Sequence, residues 1–219
     1  MKTRAKNAIL GRLRAATAAG FPRVSAPTIP RKPGGGVADF ERFAAVLTTL
    51  GPTFEMARTP EEARQALTAY LAANDVKTAV RWDHPDLDAV SAAGVLAEAK
   101  VAVIAPEELP ERVCPGLAAV DLGVTAVAYA LCATGSLVMA AAPGRERGTP
   151  LVPRLHVAFV ARSRLVPDLP TMLERVGQGP MPSALNCVSG VSSTGDIEFV
   201  YVRGVHGPLA VHVIGLDWL

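Results

Sequence analysis

Hydroxyls, glycines, two carboxylates and a histidine crowd one stretch near the end of a chain otherwise rich in Ala, Val and Leu. It reads Ser189-Gly190-Val191-Ser192-Ser193-Thr194-Gly195-Asp196-Ile197-Glu198, followed by Arg203-Gly204-Val205-His206-Gly207-Pro208. Glycine lets backbone approach a ligand or take positive φ, and hydroxyls with free amides can hold an anion. Ser189, Gly190, Ser192, Ser193, Thr194 and Gly207 are therefore candidate ligand-binding residues. Asp196 also fits the first turn of a helix capped by Ser193 or Thr194. Capping explains neither Glu198 nor His206. A histidine and carboxylates beside one glycine-rich surface can exchange protons, so Glu198, Asp196 and His206 are the candidate catalytic residues.

Three other clusters carry possible chemistry. Thr134-Gly135-Ser136 can offer hydroxyls and amides to a ligand, or can simply stop a helix with Gly135 left-handed. Arg145 and Arg147, in the polar run Pro143 to Pro150, can clamp a phosphate or carboxylate or lie solvated. Asp83-His84-Pro85-Asp86-Leu87-Asp88 offers metal-ligand types, but Pro and Asp there are what a helix N-terminus prefers, so it reads as capping. His156 and His212 each sit in an apolar strand pattern and read as core residues. No P-loop, GxGxxG or Ser-His-Asp order is present.

These residues need a scaffold, and the hydrophobic pattern supplies one. Helical spacing spans 3–19, 39–50, 59–73, 85–99, 124–133 and 167–176; strand-like runs span 53–57, 78–82, 101–105, 137–142, 155–161 and 209–216. Such alternation predicts an α/β domain with an open, mostly parallel sheet covered by helices, whose ligands collect beyond the C-terminal strand ends. Before it, residues 1–36 form a basic helical arm and a Pro/Gly connector, leaving 37–219 as the domain.

At 219 residues and half hydrophobic, the chain can bury a full core. Cys114, Cys132 and Cys187 are spaced by 18 and 55 residues, with no CxxC or CxxH. Neither a zinc site nor an iron–sulfur ligand set assembles locally, and the scattered odd set, with no signal peptide read, suggests reduced thiols in the cytoplasm. Leu122–Gly144 carries no charge, but Cys132-Ala133-Thr134-Gly135-Ser136 in its middle argues against a membrane span. Eight basic and no acidic residues precede Asp39; the rest holds the other fourteen basic and all 20 acidic ones, a net of −6. With no aromatic interleaved among the early charges, this arm reads as packing on the body or on a neighbouring subunit rather than on nucleic acid.

Taken as a set, Gly123-Val124-Thr125, Ala133-Thr134-Gly135-Ser136-Leu137-Val138, Arg147 with Pro150-Leu151-Val152-Pro153 and His156, and the C-terminal cluster resemble the lactate-utilization (LUD) domain family in its stand-alone C type. The resemblance implies a fold similar to the NagB/RpiA/CoA-transferase group. It also implies participation, with separate iron–sulfur subunits, in oxidising L-lactate to pyruvate. Clusters would then sit only on those partners, and this chain would bind a small carboxylate or phosphate, with self-association also open. Thr134, Gly135, Ser136 and Arg147 join the candidate ligand-binding residues on this basis, with no metal ligand among them. The chain departs from the family where Ala133 replaces an acidic residue, Val191 a proline and Gly195 an alanine. An autonomous enzyme of the CoA-transferase or sugar-phosphate-isomerase kind, using Glu198 or Asp196, is the alternative reading.

Overall fold

A computed structural model describes residues 2–18, 36–105, 113–194, 202–203 and 206–219. The chain divides into two compact units, Met1–Pro33 and Gly34–Leu219. In the first, α1 (Lys2–Ala18) exposes Ile9, Leu10 and Leu13.

The second unit is built on six parallel strands: β1 (Thr53–Ala57), β2 (Thr78–Arg81), β3 (Ala102–Val103), β4 (Leu122–Ala126), β7 (Leu155–Ala161) and β12 (Ala210–Leu216). Their order is β1-β12-β7-β4-β2-β3. Every residue of β4 and β7 is buried, which explains their continuous apolar runs. Helix α2 (Phe40–Thr49) starts where Asp39 accepts from Arg42 N, and α3 (Pro60–Ala73) where Thr59 accepts from Glu62 N with Pro60 in the first turn. The two helices cover opposite faces. Tyr70 of α3 stacks on His212 of β12 at 4.8 Å, whereas Phe40 of α2 meets Phe54 at 5.7 Å over Gly215, whose side of the strand is the other one.

Three expectations need correcting. Residues 124–133 are not a helix: β4 ends at Ala126, and β5 (Tyr129–Leu131) turns through Cys132–Gly135 into β6 (Ser136–Ala140). Gly135 is left-handed, at φ +61°, but in a hairpin turn rather than at a helix stop. A single helix over 85–99 is absent; α4 (Pro85–Ala89) and α5 (Ala92–Glu98) are separated at Ser91, φ 52°. His84 caps α4 by accepting from Asp86 N, so the capping reading of that segment holds through the histidine.

The hairpin belongs to a second sheet of order β8-β5-β6-β9, completed by β8 (Leu165–Val166) and β9 (Leu185–Val188). Its β5–β6 and β6–β9 pairs are antiparallel. α6 (Leu169–Gly177), capped by Asp168, packs Met172 with Leu131, Val138 and Val166 into a small core of its own. Thr125 of β4 reaches Met139 of β6, so this second sheet lies over one face of the first. Helices alone therefore do not supply the cover. The run Leu122–Gly144 is thus strand and hairpin, and among the described residues no helix is long and apolar enough to cross a membrane.

Candidate functional site

From β2 the chain runs outward to β3, then returns across β2 to β4. A crevice at such a reversal, beyond the strand ends, is where open α/β sheets bind ligands. Here the segment after β6 is drawn into it. Asp83 N donates to Gly144 O (2.8 Å) and Trp82 Nε1 to Glu146 O (3.0 Å), while Trp82 N bonds Val124 O and spans the crevice. Arg145 Nε donates to Asp83 O at 3.2 Å. Further along, a Cβ on Gly123 would stand 2.0 Å from Thr149 O, so only glycine lets the segment lie against β4.

The segment roofs a cavity of about 600 Å³. Arg145, Glu146, Arg147 and Gly148 form one side, Ala141, Ala142, Leu151 and Val152 an apolar wall, and Ser183 and Asn186 the side towards β9. Arg147 is exposed. Glu146 Oε2 is buried and has no hydrogen-bond partner among the described residues. Glu146 also borders a smaller space of about 230 Å³ with Arg81 and Asp83. Two guanidinium groups and amide and hydroxyl donors beside apolar carbon suit an anion with a nonpolar portion. Nearby, burial lowers the pKa of His84; Asp86 opposes that shift, and Arg145 and Arg164 add to it. His84 therefore stays a neutral acceptor at the helix cap.

The glycine- and hydroxyl-rich residues gather elsewhere. Ser136 Oγ lies 2.7 Å from Thr134 Oγ1 and 2.6 Å from Ser189 Oγ. Gly135 and Gly190 both meet a packing constraint. Their missing Cβ atoms would stand 2.6 Å from Leu47 N and 2.8 Å from Leu50 O, at the C-terminal turn of α2. That turn is the negative end of the helix dipole, which welcomes hydroxyl donors and repels an anion. Ser192 is placed by different partners: its Oγ accepts from His206 N (3.3 Å) and its N donates to Pro208 O. A Cβ on Gly207 would stand 3.2 Å from Ser192 Cβ and 3.3 Å from Leu151 O.

The structure thus joins Thr134, Gly135, Ser136, Ser189 and Gly190, and separately Ser192, His206 and Gly207. Arg147 belongs to the cavity beyond Ala141, and Ser136 to Ala141 along an extended strand is ~17 Å. Ser193 and Thr194 form strand β10, paired with β11 (Val202–Arg203); the helical turn they were expected to cap lies outside the described residues. Asp196 and Glu198 lie outside the described residues. His156 and His212 are core residues as expected: burial depresses both, His156 to about 3. Trp82, Glu146, Ser183 and Asn186 escaped the sequence reading; only Trp82, an aromatic directly after a strand, left a signal.

Residues 40–215 match the family model described as LUD domain. Lactate utilization protein C of Halalkalibacterium halodurans is 29% identical over 150 residues, 66% of this chain and 65% of that protein. Its namesake from Shouchella clausii is 34% identical over 101 residues, 44% of each chain. The chain's matches therefore span less than two thirds of the length of these relatives. A crystal structure of a DUF162 family protein from Deinococcus radiodurans is similar with a TM-score of 0.55 and 19% identity, over 81% of this chain and 95% of that one. At that identity the likeness speaks for the fold alone.

Proposed function

The chain belongs to the LUD-domain family, and from that premise we propose that it serves lactate utilization as a cytoplasmic component working beside separate iron–sulfur subunits. Its own task is to bind an anionic ligand, a carboxylate or phosphate, in the cavity under Arg145–Gly148. The names of its relatives support the pathway. Oxidation of a 2-hydroxy acid to a 2-oxo acid releases two electrons, which iron–sulfur centres can carry one at a time. Of the two cysteines whose side chains are described, Cys132 is buried in the hairpin turn, donating to Asp39 O, and Cys187 is exposed on β9. The spacings of 18 and 55 residues offer no local cluster motif, and we place those centres on partners.

One observation carries the assignment of the ligand. Two arginines, with Ser183 and Asn186, border one cavity beside the segment that lies against the sheet's reversal point. The hydroxyl cluster, seated on the negative end of α2, braces the second sheet instead. Deleting the gene from its host should abolish growth on L-lactate as sole carbon source. The full-length chain should restore it, and Arg147→Gln should restore it poorly. Normal growth of the deletion strain would remove the lactate role. Turnover of an acyl-CoA or a sugar phosphate by the purified chain alone would replace this reading with that of an autonomous enzyme.

A further inference from the structure

We propose that the cavity under the arginine loop takes an amphipathic anion larger than lactate, an acidic head group carrying an extended apolar body. This rests on reading the cavity as the anion site and goes on to name the class of its occupant. Its volume, about 600 Å³, lies within the ~300–1,000 Å³ range of sites for drug-sized ligands. A three-carbon acid would leave most of it unfilled. The chemistry of the walls agrees. Arg145 and Arg147 line the cavity, with Glu146 between them, and Ala141, Ala142, Leu151 and Val152 contribute apolar side chains. A small polar acid gains nothing from that carbon, whereas an alkyl or ring body displaces water from it. Arg145 is fixed through Nε–H to Asp83 O, while Arg147 is exposed. One guanidinium is thus preset and the other adjusts to the head group.

Isothermal titration calorimetry of the full-length chain with butyrate, hexanoate and octanoate, beside L-lactate and inorganic phosphate, tests this. Affinity should climb with chain length, by up to about fourfold for each methylene buried. Arg147→Gln should weaken every carboxylate by a similar factor, about tenfold, because it removes a charged hydrogen-bond donor to the common head group. Ala142→Asp, at an exposed position of the apolar wall, should erase the dependence on chain length. Far-ultraviolet circular dichroism checks that both variants remain folded. If lactate, butyrate and octanoate bind alike and all respond to Arg147→Gln, the anion site stands and the amphipathic ligand is wrong. Octanoate binding that ignores Arg147→Gln overturns both, and no saturable octanoate binding overturns the inference.

Discussion

The Oγ atoms of Ser136 and Ser189 lie 2.6 Å apart across 53 residues of sequence. Ser136 is buried and also meets Thr134, so it is the middle of a three-hydroxyl chain tying the hairpin turn to the end of β9. Ser136→Ala should cost about 1 kcal/mol and Ser189→Ala, at an exposed position, less. Urea unfolding of both single variants and the double variant should give a coupling of at least ~0.5 kcal/mol. Full additivity would mean that the contact contributes nothing.

Gly123→Ala should destabilise the body by roughly 2 kcal/mol, since the new methyl collides with the fixed main chain at Thr149 rather than with a movable side chain. The same substitution should weaken anion binding, because the segment it displaces carries Arg145 and Arg147. Thermal melting and titration of one sample check both effects; a stable variant with unchanged binding would show that the segment is not pinned there.

His156 gives the protein an acid-sensitive core. Thr125 Oγ1 lies 2.8 Å from His156 Nε2 in the buried core, and burial keeps the ring neutral. Burial lowers its pKa from 6.5 to about 3. Between those values the unfolded chain binds a proton that the folded chain does not. Its contribution is thus complete above pH 6.5 and is lost as the pH falls towards 3, by at most about 1.4 kcal/mol per pH unit. His84 and His212, also depressed by burial, steepen the loss in the same direction. Unfolding midpoints between pH 7 and 4 should fall less steeply in His156→Gln; identical slopes would show that the ring does not titrate as described.

Removing Met1–Pro33 should leave cooperative unfolding of the remainder intact, because the hydrophobic cores of the described body draw on Ala38 and later residues. A truncated chain that no longer folds would place the arm within the core. Association through the eight basic residues should weaken on truncation and in raised salt.

Much of this architecture was legible in the sequence, and the gaps have physical causes. β7 and β12 were readable because each is a seven-residue run, apolar but for one histidine, that ends at a charged residue, Arg162 or Asp217. Residues 124–133 misled because strands buried on both faces lose the alternation that distinguishes them from a buried helix. β9 is short and half exposed, so it showed no pattern. The break at Ser91 depends on one left-handed residue that carries no compositional mark. At the site, residue types were legible but their grouping was not. Arg147 and Ser136 are eleven positions apart, yet β6 starts at Ser136 and carries the chain away from it before the segment that holds Arg147.

The roof of the cavity is held at residues 144, 146 and 149 by its own main-chain carbonyls, against Asp83, Trp82 and the bare face of Gly123. None of these attachments reads the side chains of Glu146 or Arg147. On the proposed reading of the cavity, substitutions at those two positions should change what it admits without unseating the frame, which would make recognition and fold separately heritable.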